Sequence, residues 1–270
     1  MDDYSAIVDT SQQGCIVYYQ GGMAVDIAYP AKPSILAKPS PKRGKIKGFS
    51  RASRKRLMHL LGEIDKSEYE RAYFITLTYP EHYPDWVTAK AHFDAFYKRM
   101  VRKFGDFPVL WRAELQARGA IHFHCIAFLG VDVLDAELSA IVAGAWYEVA
   151  GGGDPYHYLF HIGALRGSKG CASRVGSMRR VLYYVSKYVA KVNEFEQGIG
   201  RFWGLLGKRF LRFARKVRVY LPVGMMHNLM RFGKRFMRIP NRVRFRKLSW
   251  LMFDSDLSVS SNGSCGVKQR

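Results

Sequence analysis

The amino-acid sequence predicts an α+β fold, with one antiparallel β-sheet and helices on one face of it. Short runs rich in β-branched and aromatic residues, which are typical of strands, alternate with longer segments of apolar residues at helical spacing. Two of the strand segments flank Ala117–Ala120, a short turn that predicts a hairpin. Of the 270 residues 48% are hydrophobic, which is enough to form a buried core.

The predicted elements follow the order β-α-β-β-α-β, which is the ferredoxin-like (RRM-like) arrangement. The first strand covers 73–78 and ends at Tyr79–Pro80, because proline interrupts strand pairing. The helix over 86–103 carries apolar residues, including Phe93, Phe96 and Met100, at helical spacing. The remaining elements are predicted as strands over 108–116 and 121–129, a helix over 134–149, a strand over 156–165 and a helix over 175–191.

Segments of different composition flank this unit. Residues 1–49 are predicted to form a flexible, partly basic N-terminal arm. The domain that carries the sheet is predicted over 50–196, and it begins with a helix near Ser50. Residues 197–253 contain no acidic residue and are predicted as a basic, helical C-terminal extension. The serine-rich segment 254–270 is predicted to be disordered.

The charge of the chain indicates a polyanionic partner. Forty-three Lys and Arg residues against 22 Asp and Glu residues give a formal net charge of +21. A surface this positive favours nucleic acid or an anionic membrane face. No apolar run reaches the roughly 18 residues that span a bilayer, and the polar, acidic start does not resemble a signal peptide. We therefore expect no membrane partner and a location in the cytoplasm of the cell that makes the protein.

The sequence also argues against two other chemistries. The four cysteines lack metal-ligand spacing and are expected to stay reduced. No segment has the spacing of a phosphate-binding P-loop, so we expect no ATP hydrolysis by this chain.

Two histidines in one apolar strand form the first candidate site. Because side chains alternate along a strand, His122 and His124 point to one face, about 7 Å apart, while Phe123 points to the core. Two imidazoles on one face can share a divalent ion with a third ligand. The preceding strand offers Glu114 or Gln116 for that position.

The hairpin register decides which of these residues faces the histidines, and the sequence leaves it open. A loop of odd length centred on Gly119 would set Glu114 opposite His124 and Gln116 opposite His122. A two-residue turn would shift the register by one and turn Glu114 away.

The second candidate site lies on the predicted helix over 175–191. Tyr184 and Tyr188 are one helical turn apart, with Lys187 and Lys191 close to the same face. A free tyrosine has a pKa near 10 and is a poor nucleophile, but a metal and nearby cations offset this. The alternative is aromatic core packing, because other tyrosine pairs in the chain share this spacing.

A rival metal pair is His157 with His161. These residues fall on one face of either a helix or a strand, and Asp154 is the one acidic residue near them.

Three segments, in this order, resemble the rolling-circle replication initiators of the HUH endonuclease superfamily. Phe74-Ile-Thr-Leu-Thr78-Tyr-Pro80 is similar to their first motif, and His122-Phe-His124 to their metal motif. Tyr184-Val-Ser-Lys187-Tyr188 is similar to the third motif in its two-tyrosine form. That form occurs in gene A proteins of single-stranded DNA phages and in initiators of filamentous phages and plasmids. The resemblance covers roughly residues 50–210.

The resemblance implies a mechanism. His122 and His124, with Glu114 as the best third ligand, would hold Mg²⁺ or Mn²⁺. One of the two tyrosines, Tyr184 or Tyr188, would attack single-stranded origin DNA and form a 5′-phosphotyrosine, leaving a 3′-OH for the host DNA polymerase. The other would later attack the regenerated junction and rejoin the displaced strand, and Lys187 would stabilise phosphate charge.

Unwinding would depend on a host helicase, supercoiling or an already unpaired hairpin. We expect contacts to DNA from basic residues near both ends of the domain, namely Arg51, Arg54, Lys55, Arg56, Lys191 and Arg201. Two alternatives remain open, a single-tyrosine HUH transposase and a non-catalytic nucleic-acid-binding protein that uses the same sheet.

Overall fold

The structure, a computed structural model, describes residues 13–22, 24–28, 49–150, 153–176, 180–181, 200–236 and 247–251. The α+β class is confirmed, since two antiparallel sheets combine with several helices. No helix in these ranges is both long and apolar enough to cross a membrane.

The elements are numbered in chain order. The strands are β1 (Gln13–Gln20), β2 (Ala24–Ala28), β3 (Ala72–Leu77), β4 (Val109–Leu115), β5 (Ile121–Phe128), β6 (Ala172–Arg174), β7 (Trp203–Leu206), β8 (Arg215–Pro222) and β9 (Lys247–Leu251). The helices are α1 (Arg51–Glu63), α2 (Trp86–Phe104), α3 (Asp135–Ala150), α4 (Pro155–Ile162) and α5 (Val223–Phe236).

A five-stranded sheet in the order β6-β3-β5-β4-β7 is the centre of the molecule. One of its faces packs against α2 and α3, as the ferredoxin-like arrangement requires. The Phe93 ring of α2 stacks on Phe123 of β5 at 4.8 Å between centroids. Trp146 of α3 is fully buried beside them. This apolar layer fixes β5 at the centre of the sheet, with Phe123 turned inward as predicted.

The opposite face of the sheet is covered in part by α1. The helix begins at Ser50, whose hydroxyl accepts a hydrogen bond from the Ser53 N–H at 3.2 Å. Leu57 and Leu61 are buried against this face together with Phe74 of β3. Helices therefore contact both faces of the sheet, and the predicted helix near Ser50 is confirmed.

The prediction of a strand over 156–165 is wrong, because this segment forms α4. Local capping explains the helix: the Asp154 side chain accepts from the Tyr156 N–H at 2.9 Å, and Pro155 occupies the first turn. The helix ends at Gly163, which adopts a left-handed conformation with φ of 80°. The last strand of the β-α-β-β-α-β order is instead β6, which pairs with β3.

The prediction of a flexible arm over residues 1–49 is wrong for 13–20 and 24–28. These residues form the hairpin β1–β2, which belongs to a four-stranded sheet in the order β8-β1-β2-β9. The helix α5 packs on this sheet through Met226 and Met230, which contact Ile27. Residues of the two predicted flanking segments thus share one sheet.

The C-terminal extension, predicted to be helical, is mixed in structure. It contributes β8 and β9 to the four-stranded sheet, and β7 to the edge of the five-stranded sheet beside β4. Alternation in the run Arg215–Pro222 explains β8, since valines at 217 and 219 alternate with bases at 216 and 218.

A cluster of charged side chains joins the small sheet to α1. Nε2 of His59 lies 3.0 Å from Oδ1 of the buried Asp26 carboxylate, and its Nδ1 lies 3.3 Å from Oε1 of Glu63. Nζ of Lys216, on β8, lies 3.5 Å from the same Glu63 oxygen. The hydrogen bonds to Asp26 and then Glu63 raise the pKa of His59 to about 9, and the hydrogen bond to His59 lowers that of Glu63 to about 2.

The His59 cluster is expected to make the folded state less stable as the pH becomes alkaline. Because the pKa of His59 rises from 6.5 to about 9 on folding, its contribution is full below about pH 6.5 and is lost as the pH rises through 9. His59→Ala should lower the free energy of unfolding by about 1–3 kcal/mol at pH 7 and by far less at pH 10. Urea unfolding at both pH values, with the exposed His82→Ala as the control, measures this. An equal loss at both values would contradict the assignment.

Candidate metal centre

The β4–β5 hairpin brings three potential metal ligands together. A three-residue loop closes it: the Gln116 N–H donates to the Ala120 carbonyl at 2.8 Å, and Gly119 adopts a φ of 88°. This loop sets Glu114 opposite His122. Neither predicted register is correct, because the loop is centred on residue 118. The loop is nevertheless odd in length, so Glu114 stays on the face of the histidines.

The hairpin loop is fixed to the segment that follows β3. The Arg118 guanidinium donates to the carbonyls of Tyr79 at 2.6 Å and Pro80 at 2.7 Å. In return, the Tyr83 hydroxyl donates to the Arg118 carbonyl at 2.6 Å. A Cβ at Gly119 would lie 2.7 Å from this hydroxyl, so glycine suits both the conformation and the close approach.

The ligand atoms of Glu114, His122 and His124 all lie within 4.8 Å of one another, a spacing at which one ion can be bound by all three. Oε1 of Glu114 is 3.2 Å from Nε2 of His124, and the two imidazole centroids are 4.3 Å apart. Glu114 and His124 are buried, with 4% and 7% of their surface exposed. Across the described ranges this is the one such group of three His, Cys, Asp or Glu side chains.

Buried Arg112 is a neighbour of the cluster that the sequence interpretation missed. It lies opposite His124 in the β4–β5 register, with Nη1 3.6 Å from Oε2 of Glu114 and its guanidinium 4.7 Å from the centre of the Phe49 ring. The guanidinium therefore places a positive charge beside the carboxylate of the cluster. Its position two residues before Glu114, on the same strand face, was the available signal.

Gln116, the alternative third ligand, lies in a different setting. Its side-chain carbonyl accepts a hydrogen bond from Nε of Arg118 at 3.0 Å, which directs it to the hairpin loop. The geometry therefore favours Glu114 as the carboxylate partner of the two histidines.

His157 and His161, the rival metal pair, bind Thr78 through their rings. The Thr78 N–H donates to Nε2 of His161 at 3.2 Å, so Nδ1 carries the proton and donates to the His157 carbonyl at 2.8 Å. Nε2 of His157 and the indole N–H of Trp146 both donate to the Thr78 carbonyl, at 2.8 and 2.6 Å. Burial lowers the pKa of His161 to about 4, which keeps the ring neutral. These contacts assign the pair to positioning the end of β3.

A pocket of about 380 Å³ adjoins the ligand cluster and shares His122 with it. The ends of β3 and β4 and the segment from α4 to β6 form its walls. The lining residues are Thr76, Thr78, Gln116, His122, Phe160, His161, Gly167, Ser168, Lys169, Gly170 and Cys171.

The other predicted site residues are placed only in part. Tyr184, Tyr188, Lys187 and Lys191 lie outside the described residues, as does most of the predicted helix over 175–191. The basic residues Arg51, Arg54, Lys55 and Arg56 lie on α1, where Lys55 and Arg56 are exposed, and exposed Arg201 precedes β7.

Fold, charge and site together describe a basic α+β protein with a candidate metal centre on the central strands of an antiparallel sheet. Residues 72–193, which contain this centre, match the family of replication-associated proteins that comprises ORF2 and the gene 2 protein. The chain is also 24% identical over 215 residues to the replication-associated gene 2 protein of Pseudomonas phage Pf3, covering 74% of this chain and 71% of that protein. No solved structure matches. Both similarities are to replication-associated proteins.

Proposed function

We propose that this protein starts rolling-circle replication by nicking single-stranded origin DNA through a tyrosine and later rejoins the displaced strand. The observation that carries the proposal is the cluster of Glu114, His122 and His124 inside the segment 72–193 that matches a replication-associated family. The names of the matched family and of the Pf3 phage protein both refer to replication, which favours the initiator over a transposase of the same superfamily.

Glu114, His122 and His124 would hold the metal. One carboxylate oxygen and two imidazole nitrogens fit a divalent cation, and the burial of Glu114 and His124 limits competition from water. We propose Mg²⁺ or Mn²⁺, which would polarise the scissile phosphate. Arg112 lies near Oε2 of Glu114, while His124 lies near Oε1, so the guanidinium leaves the oxygen that faces the histidine available to a metal.

Tyr184 or Tyr188 would supply the nucleophile. The phenol would lose its proton to solvent and its oxygen would form a bond to phosphorus. The bond from phosphorus to the 3′-oxygen would break, and that oxygen would take up a proton from solvent to become a 3′-OH. The number of phosphoester bonds is unchanged, so the reverse attack can reseal DNA without an energy source. On the helix that the sequence predicts over 175–191, these two tyrosines would lie one turn apart, which would allow a second attack while the first tyrosine remains bonded to DNA.

Basic residues would hold the strand by its phosphates. Arg54, Lys55 and Arg56 on α1, and Arg201 before β7, are proposed contacts, together with Arg51 and Lys191. The free 3′-OH would then be extended by a host DNA polymerase, and a host helicase is the proposed source of unwound template.

The test is a covalent adduct with DNA. The full chain is incubated with Mn²⁺ and single-stranded DNA from its own replicon, labelled at either the 3′ or the 5′ end, and analysed on denaturing gels. We expect the 3′ label to move with the protein, the 5′ label to appear on a shorter free fragment, and EDTA to prevent both. No adduct with any replicon strand, or transfer of the 5′ label to the protein, would refute the proposal.

A further inference from the structure

The pocket beside the candidate metal centre is lined by polar side chains on one side and by an aromatic ring, a hydroxyl and a cation on the other. Thr76 and Thr78 contribute from β3 and its end, and His122 connects the pocket directly to the ligand cluster. On the other side lies the ring of Phe160, which is 47% exposed. Ser168 and Lys169 complete this side with a hydroxyl and a cation. A volume near 380 Å³ is within the range of small-ligand pockets.

The wall formed by the segment after α4 is built to keep its shape. The Ser168 hydroxyl donates to the Leu165 carbonyl at 2.7 Å and accepts from the Leu165 N–H at 3.1 Å. The Cys171 N–H donates to the His161 carbonyl at 2.7 Å, which ties the end of the segment back to α4. Gly163 lies so close to Gly170 that a Cβ added to Gly163 would be 2.7 Å from the backbone nitrogen of Gly170. The wall is therefore preorganised, which lowers the cost of binding a ligand there.

An aromatic ring, several hydroxyl groups, an amide and an ammonium group around one cavity match the parts of a nucleotide. A ring that is half exposed offers a face on which a base can stack. The Ser168 oxygen, which accepts one hydrogen bond and has room for a second, and the Gln116 side-chain NH2 group suit the polar edge of a base, and Lys169 suits a phosphate.

We infer that this pocket receives one nucleotide of the single-stranded substrate, immediately beside the scissile phosphate, with its base against Phe160. The inference rests on the proposed function for the identity of the substrate. It adds a specificity-determining site, because the nucleotide that fills the pocket fixes which phosphate reaches His122 and its partners.

Phe160→Ala in the full chain tests the inference. Binding is measured by fluorescence anisotropy with a fluorescein-labelled single-stranded origin oligonucleotide in EDTA, where no cleavage takes place. We expect Phe160→Ala to weaken binding about 10-fold, because one stacking contact is lost, and Phe160→Tyr to bind like the wild type. Tyr156→Ala is the matched control, since Tyr156 is an exposed aromatic residue one turn earlier on α4 that does not line the pocket.

A set of oligonucleotides, each with one abasic position, locates the nucleotide. One abasic position should weaken wild-type binding as much as Phe160→Ala does, and Phe160→Ala should cause no further loss with that oligonucleotide. Additive losses at every position, or a Phe160→Ala variant that binds like the wild type, would overturn the inference. Either result can occur while the covalent adduct still forms, so failure of the pocket is distinguishable from failure of the nicking proposal.

Discussion

Replacing both Tyr184 and Tyr188 with phenylalanine is expected to abolish the covalent protein–DNA adduct. Phenylalanine keeps the ring but lacks the phenolic oxygen that must bond to phosphorus, so the loss should exceed about 10³-fold. The measurement is the rate of adduct formation with Mn²⁺ and origin DNA under single-turnover conditions. Tyr183→Phe, which removes a neighbouring hydroxyl, is the matched control and should leave the rate close to that of the wild type.

The two single variants separate the proposed cycle from its alternative. Similar residual activity of Tyr184→Phe and Tyr188→Phe would favour alternating use of both tyrosines. If one variant loses all activity and the other keeps full activity, a single-tyrosine enzyme would be favoured. An adduct that persists in the double variant would show that another residue is the nucleophile.

Removing the metal ligands is expected to give the second largest effect. Glu114→Gln keeps the shape of the side chain but removes its charge, and His124→Ala removes an imidazole that lies 3.2 Å from that carboxylate. Because metal polarisation of a phosphate contributes several kcal/mol, cleavage should fall at least about 100-fold in each variant. Titration calorimetry with Mn²⁺ should show a parallel loss of binding.

The control for the metal variants is His82→Ala. This substitution removes an exposed imidazole outside the ligand cluster, so it should affect neither cleavage nor Mn²⁺ binding. Full cleavage after both His122→Ala and His124→Ala would remove the metal centre from the mechanism. Loss of cleavage with unchanged Mn²⁺ binding would instead assign these residues to contact with DNA.

The sequence was sufficient to predict the face of the sheet on which the three proposed metal ligands lie, but not how they pair across the two strands. Strand alternation puts His122 and His124 on one face whatever surrounds them. The register depends on the turn. Here a three-residue loop with Gly119 in the left-handed conformation is centred on residue 118, one residue before the predicted centre at Gly119. Because the loop still has an odd number of residues, Glu114 lies on the same face as the two histidines and remains the candidate for the carboxylate beside them.

Other differences arise where local signals compete or where the partner is distant in sequence. Periodicity alone gave a strand over 156–165, yet Asp154, Pro155 and Gly163 are helix-boundary residues that outweigh it. The four-stranded sheet pairs Gln13 with Pro222, residues whose relation no local pattern reveals. Strand alternation alone places Arg112 on the same face as Glu114, but the burial of both side chains follows from the packing of the sheet.

The placement of β7 has a practical consequence for work with shortened forms of the protein. A fragment limited to 50–196 would contain every proposed ligand and nucleophile but would omit Trp203–Leu206, the neighbour of β4. The backbone N–H and carbonyl groups of β4 that pair with β7 would then be unpaired and exposed, and exposed edge strands promote self-association. Expression of an isolated catalytic unit should therefore retain the chain beyond residue 206, or insoluble material is the expected outcome.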